Sequence, residues 1–123
     1  MSTLNVANVT DGTTSVPTGY VVNGSAKSWV GFNGIGTISI NDSYNISSIT
    51  DNAIGDYTIT LDTDMNNASY GITTGNSNTT TNNGNAAYSS VVAGSFKLRT
   101  YRGQDGTQAD GANNTTMTLG DLA

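Results

Sequence analysis

Histidine, cysteine and glutamate are all missing from this chain of 123 residues. Acid–base and nucleophilic chemistry must then be sought among Asp, Lys, Tyr, Ser and Thr. Lys27 and Ser28 could form a Ser-Lys pair, but as neighbours on one strand they project to opposite faces. Asp62 and Asp64 could supply two carboxylates for glycoside cleavage. Aspartates at a strand end are more commonly turn formers. Asp62-Thr63-Asp64-Met65-Asn66 also begins like a calcium loop with oxygen ligands at alternate positions. The sixth and twelfth places, which call for Gly and Glu, hold Asn67 and Thr73. Lys97, Arg99 and Tyr101 share one strand face, opposite Phe96, Leu98 and Thr100. They could bind an anionic sugar or pair with aspartates of a neighbouring subunit, and a solvated strand face is the simpler reading. No catalytic residue, cofactor or metal ion is expected, and the chain reads as something other than an enzyme.

The elements that would position such residues follow from composition. Thr, Asn, Gly, Ser and Ala dominate, with one proline and few long unbranched helix formers. Thr, Val, Ile and Tyr suit a pleated, half-buried surface, while Asn, Asp and Gly supply positive-φ turns. The length fits one domain. The apolar fraction of 35% is low, which favours identical subunits completing one another's cores over a loosely ordered chain. Net charge is −5, and Lys97, Arg99 and Arg102 hold three of the four cations, so no phosphate-tracking surface can form and nucleic acid is not an expected partner. No apolar run approaches the ~20 residues that cross a bilayer, and the N-terminus lacks a signal-peptide pattern, so neither membrane insertion nor ordinary export is expected. Without cysteine, stability must come from burial, backbone pairing and assembly.

Residues 26–74 must form the body, since they hold the only Trp, one of the two Phe and three of the six Tyr. Before them, residues 1–14 read as a polar lead-in with Leu4, Val6 and Val9, able to add as a short strand to the domain or to another chain. Tyr20-Val21-Val22 reads as a short strand after a Pro17-Thr18-Gly19 turn. Residues 25–32 read as a strong strand ended by Asn33-Gly34, a hairpin signal. Residues 37–41 place Ile38 and Ile40 on one face, and residues 44–50 require a bend or bulge near Ser47-Ser48. Tyr57, Ile59 and Leu61 alternate inward, the cleanest pattern in the chain. Residues 62–68 read as a polar connection and 69–74 as a strand with Tyr70 and Ile72. Residues 75–85 carry no apolar side chain and read as an exposed loop. Strands over 88–92, 95–101 and 115–119 complete the set, with a polar loop over 103–114. The fold class is all-β, an antiparallel β-sandwich of about seven to nine short strands.

Gly24-Ser25-Ala26-Lys27-Ser28-Trp29-Val30-Gly31-Phe32-Asn33-Gly34, then Ser43-Tyr44-Asn45-Ile46-Ser47-Ser48-Ile49-Thr50-Asp51-Asn52, then Gly55-Asp56-Tyr57-Thr58-Ile59 follow one another in order. This run closely resembles a domain common in bacteriophage tail-fibre and related virion proteins, especially from phages of marine bacteria. Ser95-Phe96-Lys97-Leu98-Arg99-Thr100 resembles a later strand of that family, and Met1-Ser2-Thr3-Leu4-Asn5-Val6 is similar to the start of its short members. Gly31 departs from the family's usual Asn. Thr118-Leu119-Gly120-Asp121-Leu122-Ala123 departs from its apolar-aromatic last strand.

The resemblance implies a homotrimeric, β-structured component exposed on the virion, made in the host cytoplasm, with no catalytic motif. On that reading residues 1–14 attach to other virion proteins of the capsid or tail through Leu4, Val6 and Val9. Residues 15–123 form the sandwich. Trp29, Phe32, Ile38, Ile40, Tyr57, Ile59, Leu61 and Phe96 supply core or subunit interface, and the 75–85 loop faces outward. Two other roles fit the same residues. One is a capsid decoration (cement) protein. The other is a module that binds a host-surface glycan, with aromatic and amide side chains as sugar platforms.

Overall fold

The computed structural model describes residues 2–77 and 84–123. A small hairpin comes first, β1 (Asn8–Thr10) against β2 (Ser15–Pro17). Its turn is held by Asp11 Oδ1, which accepts from the Thr13 and Thr14 amides at 2.9 and 2.7 Å, and by Gly12 at φ 95°. The hairpin therefore spans the expected boundary at 14/15. Thr18 donates its amide and hydroxyl to Ala7 O at 2.9 and 3.1 Å, closing the hairpin and turning the chain into α1 (Thr18–Gly24).

This helix replaces the strand expected over Tyr20-Val21-Val22. The strand preference of two valines is realised only where a neighbouring edge offers pairing, and here Pro17 instead sets up a short helix that buries no residue.

The body begins at β3 (Ala26–Asn33) and continues through β4 (Ser39–Tyr44), β5 (Ile46–Ala53), β6 (Asp56–Leu61), β7 (Gly71–Ser77), β8 (Asn85–Val92), β9 (Ser95–Tyr101) and β10 (Asn113–Leu119). These eight strands form two four-stranded antiparallel sheets, ordered β4-β3-β10-β7 and β5-β6-β9-β8. The all-β antiparallel sandwich read from the sequence is the observed architecture. Between the sheets lie Val30 and Phe32 of β3, Tyr57, Ile59 and Leu61 of β6, Ile72 of β7, and Phe96 and Leu98 of β9. Phe32 and Tyr57 meet edge to face with ring centres 5.2 Å apart, and Tyr70 meets Phe96 similarly at 6.5 Å.

Asn45 makes the corner between the sheets. It takes φ 55°, which Asn tolerates better than most residues. Its side-chain amide donates to Lys27 O and Thr63 O, both at 3.1 Å, while Oδ1 accepts from Thr63 N at 2.7 Å. One residue thus ties β3, the β4–β5 corner and the segment after β6. Just beyond it, the β5–β6 register shifts between Ile46 and Ser48, the bulge expected at Ser47-Ser48.

Several expectations are corrected. Asn33-Gly34 is not a two-residue turn: Asn33 Oδ1 accepts from Ile35 N at 2.9 Å and Gly34 N donates to Gly111 O at 2.9 Å, so the connection runs on to β4 at Ser39. Long-range pairing with the 102–112 loop has outcompeted the local turn. The connection over 62–68 is not wholly polar in role, because Met65 is 1% exposed and joins the core, with its amide donating to Ala93 O at 2.9 Å. Of the 75–85 loop, Gly75–Ser77 belong to β7 and Asn85 to β8. The Asn76 side chain is half-buried, and residues 78–83 lie outside the described residues. The last strand, for which no apolar-aromatic pattern was available, lies inside its sheet between β3 and β7.

Candidate functional site

Residues 2–25 contribute nothing to the sandwich core. Apart from half-buried Thr18, every one of them is exposed, including Leu4 (85%), Val9, Val16, Tyr20 (73%), Val21 and Val22. Leu4 and Val6 precede the hairpin in a stretch without strand pairing, so the docked strand expected there is not formed within the chain. Val9, Val16 and Val21 line a cleft of about 380 Å³ between hairpin and helix, while Pro17, Gly19, Tyr20, Asn23 and Gly24 line a second of about 440 Å³. The arm is anchored to the body by Lys27 of β3. Its ammonium donates to Val22 O, to Ser25 O at 2.8 Å and to Ser25 Oγ at 3.1 Å. A cation set against the last carbonyls of α1 satisfies acceptors that the helix leaves open.

The residues expected in core or interface divide. Phe32, Tyr57, Ile59, Leu61 and Phe96 are buried in the core, and Ile38 packs half-buried against it. Trp29 (39% exposed) and Ile40 (43%) are not core residues. Trp29 lies between buried Ser28 and Val30, so alternation turns the indole to the outer face of the first sheet. Ile40 sits on edge strand β4, where the β3–β4 register shifts between Gly31 and Phe32 and inward packing is incomplete.

Lys27 and Ser28 do not meet. Ser28 is buried, with its hydroxyl 2.7 Å from that of Thr118, while Lys27 serves the arm. Lys97 and Arg99 do share the outer face of β9, and both approach Asp56 of the adjacent β6, at 3.5 and 3.6 Å. Their partner is thus an aspartate of the same chain. Asn52 supports the cluster, donating to Asp56 Oδ1 at 3.0 Å and Thr58 Oγ1 at 2.9 Å. Asp62 and Asp64 end up apart in function, Asp62 beside Tyr44 in a surface cleft and Asp64 against Gly94. Among the described residues no three acidic side chains converge on a position that could hold a metal ion.

Sequence reasoning missed the polar character of the core. The inner face of β10 presents Asn114, Thr116 and Thr118, all buried. Thr100 is also buried, donating to Ala109 O at 2.6 Å. Tyr57 sends its hydroxyl to Asp110 Oδ1 at 2.8 Å, and burial followed by that hydrogen bond pushes its ionisation well above the ordinary tyrosine range. Alternation alone could have placed Thr116 and Thr118 inward, but their polarity argued for the outside.

Among the described residues no helix is long and apolar enough to cross a membrane. No family model, curated protein or solved structure matches this chain.

Proposed function

We propose that this chain is a structural component of a bacteriophage particle, a short homotrimeric fibre or spike element attached through its N-terminal arm. The observation that carries the reading is the arm itself: residues 2–25 expose Leu4, Val9, Val16, Tyr20, Val21 and Val22 and give no buried residue to the body. Apolar side chains held on a hairpin and a helix, away from their own core, suit docking on another chain. The family resemblance carried by residues 24–34, 43–52 and 55–59 supplies the particle. Its role is scaffolding rather than catalysis. Trp29 and Ile40, exposed on the first sheet, belong on this reading to the surface available to neighbouring chains.

Antibody raised against the sandwich and imaged on intact particles tests the placement, together with the sedimentation of the purified chain. The expected result is label at the tail and a trimeric mass. Label spread over the capsid at hundreds of copies would instead make it a decoration protein. A compact monomer absent from particles would overturn both.

A further inference from the structure

At one end of the sandwich the interior holds acceptor oxygens that no donor reaches. Asn114 of β10 is 0% exposed and pairs across the first sheet with half-buried Asn76 of β7, so the two side chains share the inward face. The Asn114 amide nitrogen donates to Gly111 O at 2.9 Å, which leaves its oxygen for another partner. Asn114 Oδ1 and Asn76 Oδ1 are both shut off from solvent, and neither receives a hydrogen bond. Buried amide oxygens in that state are uncommon, because each has given up the water it held in the unfolded chain.

The two oxygens lie close together. A Cβ built on Gly111 would stand 2.2 Å from Asn114 Oδ1 and 2.4 Å from Asn76 Oδ1, so the oxygens are at most about 4.6 Å apart. Glycine keeps that space open. Gly84 does the same beside the nitrogen of the Asn76 amide, where a Cβ would stand 2.5 Å from Nδ2. Two acceptors this near, with no hydrogen between them, repel in a medium of low dielectric, and a positive group bridging them turns the repulsion into attraction.

No side chain supplies that positive group. Asp110, next to Gly111 in the chain, accepts from the Tyr57 hydroxyl and the Gly55 amide, and among the described residues no cationic side chain pairs with it. Lys27 is engaged with the arm, Lys97 and Arg99 with Asp56, and Arg102 acts on Asp105. In a chain of net charge −5, a cation from solution is drawn to such a place. Oxygen-only donors suit hard cations. A calcium–oxygen distance of ~2.3–2.6 Å bridges oxygens up to about 5 Å apart, whereas magnesium, at ~2.0–2.1 Å, reaches about 4 Å and gives up its waters reluctantly. Asn76 is only half-buried, which leaves a bound ion room to keep water.

We propose that this end of the sandwich binds a calcium ion through Asn76 Oδ1 and Asn114 Oδ1, with waters completing the shell and the Asp110 carboxylate adding negative charge nearby. With amides as its direct protein ligands, the site belongs with weak oxygen sites of ~0.1–1 mM affinity. The inference does not depend on the chain's place on a particle.

The full-length chain, stripped with EDTA and desalted, is melted with calcium chloride up to about 10 mM, and with magnesium chloride or sodium chloride at matched ionic strength. Calcium should raise the melting temperature saturably and more than either comparison salt. Terbium, a calcium-sized ion whose emission is excited through a nearby tyrosine, should light up through Tyr57 and be displaced by calcium. Asn76→Asp, which puts a carboxylate oxygen in place of the amide, should tighten calcium binding about tenfold, and Asn76→Ala should weaken it about tenfold or more. Both variants keep the buried Asn114, and their melting curves without calcium show that they fold. Asp62→Asn combined with Asp64→Asn should bind as the unaltered chain does. The proposal is overturned if calcium acts no differently from the comparison salts, if the Asn76 variants bind as the unaltered chain does, or if the Asp62 and Asp64 changes abolish the terbium emission, because the ion would then sit at residues 62–66. It is also overturned if the Asn76 side-chain amide exchanges slowly in calcium-free protein, because that amide, with oxygen and nitrogen exchanged, would then donate to Asn114 Oδ1 and leave nothing for an ion.

Discussion

The Tyr57 hydroxyl, at the end of a side chain wholly buried in the sandwich, donates to Asp110 Oδ1 at 2.8 Å, and the same oxygen accepts from Gly55 N at 2.8 Å. One carboxylate thereby pins the 102–112 loop onto β6 and the turn before it. Tyr57→Phe should cost about 1–3 kcal/mol, read from the urea midpoint, because the ring still packs on Phe32 but Asp110 loses a donor. The tyrosine ionises above its ordinary value of 10.0 in the folded chain. Its contribution is therefore complete below the unfolded value and is lost as pH rises beyond it toward the folded one. Melting temperature should fall from about pH 10 upward, and Tyr57→Phe should make that alkaline fall shallower. An unchanged alkaline slope in the variant would refute the linkage.

Gly55 sits at φ 64°, and a Cβ there would stand 2.6 Å from Thr100 O and 2.9 Å from Ala109 N. Gly36 has nearly the same angle, 68°, with open space around it. Gly36→Ala should cost roughly 1–2 kcal/mol from backbone conformation alone, while Gly55→Ala should cost clearly more, since backbone atoms cannot step aside. Equal denaturation midpoints for the two variants would show that the close approach to the loop has no energetic weight.

Ser28 and Thr118 share a buried 2.7 Å hydrogen bond across the β3–β10 pair. Ser28→Ala should cost about 1–3 kcal/mol by leaving the Thr118 hydroxyl buried without its partner. Replacing both, with Thr118→Val, should cost less than the two single changes added together. Strict additivity in the double-mutant cycle would mean that the pair is not coupled.

Asp11 lies at the exposed tip of the hairpin, and the Thr14 and Thr13 amides hold its carboxyl below the ordinary value of 3.8. The tie it provides is present above that unfolded value and is lost as pH falls through the depressed folded one. Protection of the Thr13 and Thr14 amides, taken relative to the intrinsic exchange rate at each pH, should fall on acidification or in Asp11→Ala, with the protection of the sandwich amides of β6 and β9 unchanged. Uniform loss of protection across the chain would contradict an arm that is energetically separate from the body.

Local pattern made much of the body legible. Tyr57, Ile59 and Leu61 face the core because a strand turns alternate residues to one side whatever its partner, and the same holds for Phe96 and Leu98. The bulge at Ser47 was legible because Ile46 and Ile49 cannot otherwise share a face, and both pack against the core. The exposed apolar arm was visible as Leu4, Val6 and Val9, though not its helix. The surface cleft that brings Lys27, Tyr44 and Asp62 together was not visible at all, because they come from three separate segments whose proximity depends on the corner at Asn45.

By itself, then, the amino-acid order determined a cysteine-free, all-β sandwich, the inward face of its apolar strands, and the poverty of reactive side chains. Tertiary structure alone decided that the amide- and threonine-rich β10 lies between two other strands of its sheet, that Met65 joins the core, and that Trp29 does not. The physical reason is range: side-chain alternation is fixed within a few residues, whereas the choice of pairing partner and the side of the sheet left uncovered depend on contacts between residues far apart in the chain.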